Sequence, residues 1–150
     1  MMNMIKNTHN RSACPISSSL DIIGDTWSLL IIRDLFLQRT TFSEFMNSPE
    51  KISSNILTNR LKKLLSFNLI EFYRDSKDKK VKKYFLTSAG IDLYPLIYDL
   101  SIWSKKHLDI EYNNIALDWF KENFDKSPSQ TSEDDITTYE IFKKTALKDI

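Results

Sequence analysis

Residues 53–87 read SSNILTNRLKKLLSFNLIEFYRDSKDKKVKKYFLT, and the order of patterns in this stretch decides the fold. Leu57, Leu61, Leu64 and Leu65 recur at helical spacing, and Ser53 stands where an N-cap hydroxyl accepts from the first free amides. At 100° per residue, Asn55, Asn59, Lys62 and Lys63 fall opposite those leucines, an outward face of amide and ammonium groups. Asn68 suits the left-handed residue that closes many helices. Leu69 to Tyr73 then reads as a strand, RDSKDKK as a turn and VKKYFLT as the returning strand. In that second strand Val81, Lys83 and Phe85 alternate with Lys82, Tyr84 and Leu86, so neither face is cleanly apolar.

Upstream, Cys14-Pro15 opens a helix with Ile16, Leu20 and Ile23 on one side, Pro15 fitting the first turn, where its missing amide proton is no loss. Gly24-Asp25 breaks it. TWSLLIIRDLFLQ (26–38) is apolar over too wide an arc for a surface helix, which predicts a central buried one. TFSE (41–44) matches a capping box, starting a short helix that ends near Asn47 to Pro49. A buried helix, a short helix, a polar-faced helix and a basic hairpin make a helix-turn-helix followed by a wing. The expected fold class is mainly α with a small β-hairpin: a winged helix-turn-helix.

Composition narrows the chemistry. The 150 residues are 41% hydrophobic with a formal net charge of +1, as in an ordinary single domain. That total hides a basic middle and an acidic end. Residues 51–83 carry ten Lys/Arg against three Asp/Glu, and residues 109–150 five against ten. Such asymmetry suggests a polyanion for one face. One cysteine, Cys14, excludes an intrachain disulfide, and with two histidines it offers no transition-metal set. Two glycines cannot build a phosphate-cradling loop, so no cofactor and no metal are expected. His9 and His107 lack recognisable catalytic partners, which argues against an enzyme. The absence of a long apolar run or signal segment predicts a cytoplasmic protein that does not engage a membrane.

Downstream, Thr87 caps a long helix to about Leu108, with Pro95 either kinking it or standing in a first turn. Its apolar residues occupy so much of the circumference that a partner subunit is the natural cover. Asp109 to about Phe124 is amphipathic, KSPSQTSEDD reads as a linker, and ITTYEIFKKTALKDI as a last short helix or a disordered tail. The expected divisions are a flexible leader (1–12), a DNA-binding and dimerisation domain (13–108) and an acidic C-terminal extension (109–150) whose charge is solvated.

Double-stranded DNA is the expected partner. In the major groove asparagine pairs with adenine and lysine reaches guanine or phosphate, while lysines on a wing neutralise phosphates and release counterions. The candidate contacts are Ser54, Asn55, Thr58, Asn59, Arg60, Lys62 and Lys63 on the helix and Lys79, Lys80 and Lys82 on the wing. Arg60, toward the leucine flank, fits a phosphate clamp and a helix-surface ion pair equally. The alternative is a winged-helix module that binds protein without specific DNA recognition. Tyr94, Tyr98, Trp27 and Trp103 suit core or interface better than a small-molecule pocket; Trp119 and Phe120 suit a dimer cover or an effector site.

The stretches CPISSSLDIIGDTWSLLIIRDL (14–35), FSE (42–44), ILTNRLKKL (56–64), FNLI (67–70) and KKYFLT (82–87), with Gly90, Pro95 and Trp103, resemble the HxlR family of bacterial winged-helix transcriptional regulators. The resemblance covers about residues 13–108. It implies a homodimer on a palindromic operator, with Ile16, Leu20, Leu96, Ile97, Leu100 and Trp103 at the dimer interface. Some members sense oxidants or electrophiles with a cysteine near the place of Cys14. A thiol at a helix N-terminus near Arg11 fits that role, and a small residue packed on the next helix is the plain alternative. An oxidant or small molecule is the effector class this implies. Asn68 where the family usually has glycine, a lysine-rich wing without proline, and residues 109–150 all depart from the pattern.

Overall fold

A computed structural model describes residues 4–6 and 11–150, so most of the expected leader lies outside the described residues. The first half is built by local signals. Cys14 is the N-cap of α1 (Pro15–Ile23), and Asp25 Oδ1 accepts from the amides of Trp27 and Ser28, both at 2.9 Å, to start α2 (Ser28–Phe36). Thr41 and Glu44 form the expected capping box on α3 (Phe42–Met46). Ser53 caps α4 (Ser54–Ser66), and Asn68 closes the turn after it at φ 55°.

The hairpin pairs β1 (Ile70–Arg74) with β2 (Lys82–Leu86) in antiparallel register, Ile70 opposite Leu86 and Arg74 opposite Lys82. It is seated on the helices by a bridge between Thr41 and Lys83 and by the Tyr84 amide donating to the Thr40 carbonyl at 2.7 Å. Ile31, Ile32 and Leu35 of α2 meet Leu57, Leu61 and Leu64 of α4 in one core, together with Phe45, Ile70 and Leu86. Fixing that core fixes the direction in which the opposite face of α4 points.

The helix expected over 87–108 divides in two. Thr87 caps only α5 (Ser88–Ile91), and α6 (Tyr94–His107) begins afresh with Pro95 in its first turn, the second of the two readings of that proline. Gly90 explains the tight placement of α5: a Cβ there would lie 2.2 Å from the Leu69 carbonyl oxygen.

The extension corrects the reading of residues 109–150. After α7 (Asn114–Glu122), the stretch read as linker and tail is one 21-residue helix, α8 (Pro128–Lys148). Ser127 caps it and Pro128 occupies its first turn, so residues that resemble a loop are start signals. Nor is it a solvated appendage. Tyr139 is 1% exposed and sits in the core beside Phe36, and its hydroxyl accepts the Leu86 amide proton at 2.7 Å. Lys143 donates to Glu71 Oε1 and to the Leu86 carbonyl. This packing also accounts for the mixed pattern of β2. Tyr84 faces Phe45, Phe85 faces Phe142 of α8, and the strand is covered on both sides.

Candidate nucleic-acid interface

The outward face of α4 divides into free and committed side chains. Ser54, Asn55, Thr58 and Lys62 are exposed and hold no side-chain partner among the described residues. Asn59 is exposed too, but its Oδ1 accepts from Arg60 Nη1 at 2.6 Å, leaving its amide NH2 to donate. That geometry favours Asn55 over Asn59 for bidentate pairing with adenine.

Arg60 and Lys63, both expected to touch DNA, are turned to Asp25. Arg60 Nε lies 2.8 Å from Asp25 Oδ1, and Lys63 Nζ 3.4 Å from Oδ2. Of the two readings of Arg60 the ion pair is present. Partial burial alone would raise the Asp25 carboxyl; hydrogen bonds from the Ser28 hydroxyl, the Trp27 and Ser28 amides and Arg60 outweigh it and hold the group well below the usual carboxylate range. Asp25 thus locks the start of α2 to the flank of α4. Sequence reading saw it only as a helix breaker, because its partners lie 35 and 38 residues away.

In the wing, the two acids of the tip point inward. Asp75 Oδ1 accepts from the amides of Lys77 and Asp78, and Asp78 Oδ1 from the amide of Lys80. Asp75 also pairs with Lys83 at 2.6 Å, and that hydrogen bond with the two amides pulls its carboxyl down to about 2. Arg74 braces the turn by donating to the Lys79 carbonyl. Lys79 and Lys80 are left exposed as expected, and so is Lys77, which belongs with them and was legible in KDKKVKK itself. Lys82 lies half-buried over the Phe72 ring at 4.4 Å, a cation–π contact that keeps its ammonium at the side of the wing.

The residues expected at a dimer interface separate likewise. Ile16 and Trp103 are 70% and 57% exposed, and Leu20, Leu96 and Leu100 are also exposed, so α1 and α6 present uncovered apolar faces. Ile97, about a quarter turn around α6 from that exposed face, is instead half-buried and packs against the core. Cys14 is exposed rather than buried; Arg11 pairs with Asp21 at 2.7 Å and is not devoted to the thiol. Among the described residues, no helix is long and apolar enough to cross a membrane.

A polar helix held outward by a buried helix and a short helix, with a lysine-tipped hairpin beside it, defines a winged helix-turn-helix regulator of transcription. Comparison with known proteins agrees: the model of the HxlR-like helix-turn-helix family matches residues 22–112, and the chain belongs to that family. The Bacillus subtilis (strain 168) protein YdeP, an uncharacterized HTH-type transcriptional regulator, is 33% identical over 98 residues, covering 64% of this chain and 75% of its own. YybR of the same organism, described in the same words, is 27% identical over 73% of this chain and 88% of its own. Among solved structures, PA1607 superposes with a TM-score of 0.63 at 31% identity, covering 72% of this chain and 75% of that one. The redox regulator HypR in its oxidized form superposes with a TM-score of 0.56 at 27% identity, over 65% of this chain and all of that one. The chain is therefore a DNA-binding transcription regulator and not an enzyme. All of α7 and all of α8 lie beyond the family match.

Proposed function

We propose that the chain reads a palindromic operator as a homodimer, with α4 in the major groove and the wing on the neighbouring phosphates. The observation that carries this reading is the division of charge on α4. Arg60 and Lys63 are both engaged by Asp25, whereas Ser54, Asn55, Thr58 and Lys62 remain unengaged beside a wing tip whose acids are turned inward. Asn55 and Asn59 read base edges, Lys62, Lys77, Lys79 and Lys80 neutralise phosphates, and Arg60 and Lys63 set the angle of the helix. Ile16, Leu20, Leu96, Leu100 and Trp103 bury one another across the two-fold axis.

The test is fluorescence anisotropy on the DNA upstream of the chain's own gene against a scrambled duplex, over a salt series, with sedimentation of the free protein. Selective, steeply salt-dependent binding by a dimer is expected, and Trp103→Glu should shift the protein toward monomer and weaken operator binding. Equal affinity for both duplexes would favour the protein-interaction reading instead.

A thiol switch is the second reading, supported by the exposed Cys14 and by the likeness to HypR, a redox regulator. Diamide should lower operator affinity in the parent protein and leave Cys14→Ser unchanged. An identical response of the two proteins removes Cys14 as the sensor.

A further inference from the structure

Outside the DNA-facing half, α6, α7 and α8, with the end of α2, line a half-open cavity of about 470 Å³, within the range that holds a drug-sized molecule. Much of its wall is aromatic: Tyr94 and Tyr98 from α6, Tyr112 from the loop that follows, and Trp119 and Phe120 from α7. Asp135 of α8 supplies a carboxylate among these rings. Its Oδ2 accepts from the Tyr94 hydroxyl and from Trp119 Nε1, while Oδ1 has no partner among the described residues. Both donors are neutral. No Lys or Arg forms a salt bridge with Asp135 among the described residues, and the nearby Lys126 pairs with Asp134 at 3.0 Å.

The two arginines that also line the cavity do not supply the missing charge. Arg33 is held by Asp34 and Glu50, and Arg39 by Asp34, so two cations are matched by two anions. With both arginines held by acids outside the wall, Asp135 is the one charged lining residue without an ion-pair partner among the described residues, inside walls whose π faces attract cations. We propose that this cavity binds an organic cation with a flat aromatic body, its ammonium on Asp135 and its ring against Trp119 and Tyr98, and that α8 passes the occupancy on to the wing.

The second clause rests on the DNA-binding reading; the first does not. Its physical basis is that α8 touches both places. Eight residues after Asp135, Lys143 grips Glu71 and the Leu86 carbonyl of the hairpin, and the carbonyl of Asp149 accepts from Ser76 Oγ in the wing loop at 2.8 Å. From Asp135 to Asp149 is about 21 Å along a helix, so the cavity and the wing share one rigid rod.

Three probes with one body and different charge test the site by calorimetry on the full chain: 1-naphthylmethylammonium, the neutral 1-naphthalenemethanol and the anionic 1-naphthoate. The cation should bind about tenfold more tightly than the alcohol, and Asp135→Asn should erase that preference. Ala116→Phe, which fills the cavity, should abolish binding of the cation, with circular dichroism checking the fold of each variant. Equal binding of all three probes, binding of none, or an unchanged Asp135→Asn variant overturns the site. Saturating cation should then change operator affinity at least about threefold, a modest coupling. Binding of the cation with operator affinity unmoved overturns the coupling alone, and absence of operator binding without probe overturns the DNA reading instead.

Discussion

The wing loop and α8 both adjoin the β1–β2 hairpin and handle charge in opposite ways. In the wing loop Asp75 and Asp78 are spent on backbone amides, and Lys77, Lys79 and Lys80 are turned to solvent. In α8 charge turns inward: Lys143 reaches Glu71 and a main-chain carbonyl. Charge left free in water is available to a partner, while charge given internal partners docks one element on another. The first arrangement contributes little to stability and much to binding, and the second does the reverse.

Tyr139→Ala tests the inward side of this contrast most severely. Loss of a fully buried aromatic side chain and its bond to the Leu86 amide should cost about 3 to 5 kcal/mol in urea unfolding. The same measurement on Lys79→Ala should move by no more than about 0.5 kcal/mol. If Tyr139→Ala costs less than about 1 kcal/mol, α8 is an appendage and the contrast fails.

On the outward side, Asn55→Ala should weaken operator binding by about 1 to 3 kcal/mol with little change on scrambled DNA. Asn59→Ala should lose less, because its carbonyl already serves Arg60; a larger loss there would reverse the order of the two.

Asp25 stands between the two regimes. Its carboxyl is depressed below the ordinary 3.8, so the stability it contributes is complete above that pH and is lost as pH falls below it. Asp25→Asn should lower stability at pH 7 by about 1 kcal/mol, solvent screening of the partly exposed pair allowed for, and should flatten the acid limb of a melting-temperature profile. An acid limb as steep as in the parent would assign it to other carboxylates.

The smallest effect on affinity belongs to the wing. Replacing Lys79 and Lys80 with alanine should reduce the slope of log affinity against log salt by about two. An unchanged slope would remove those two lysines from the phosphate contacts.

What was legible in the sequence follows from distance along the chain. Thr41 with Glu44, Ser53 with Ile56 and the left-handed Asn68 act within a few residues, so capping patterns expose them, and the leucine spacing of α4 reveals its free face directly. Asp25 with Arg60, and Tyr139 with the Leu86 amide, join residues 35 and 53 apart, and no local pattern announces such pairs. One indirect sign was present. A strand with apolar residues on both faces, as in KKYFLT, requires a cover on each, and the second cover had to come from elsewhere in the chain. The cavity was legible only in fragments: Trp119 and Phe120 suited an effector site, but most of its rings lie on α6, α7 and the loop between them, and no local pattern joins them to Asp135 of α8.

The dependence of β2 on α8 also imposes an order in time. During synthesis at roughly 5 to 20 residues per second, the hairpin leaves the ribosome several seconds before α8 has been made. In that interval the face of Phe85 and the amide of Leu86 stand open, an apolar strand edge of the kind that invites pairing with another nascent chain. α8 completes a fold begun without it, and the vulnerable moment for this protein falls between the synthesis of the hairpin and that of α8.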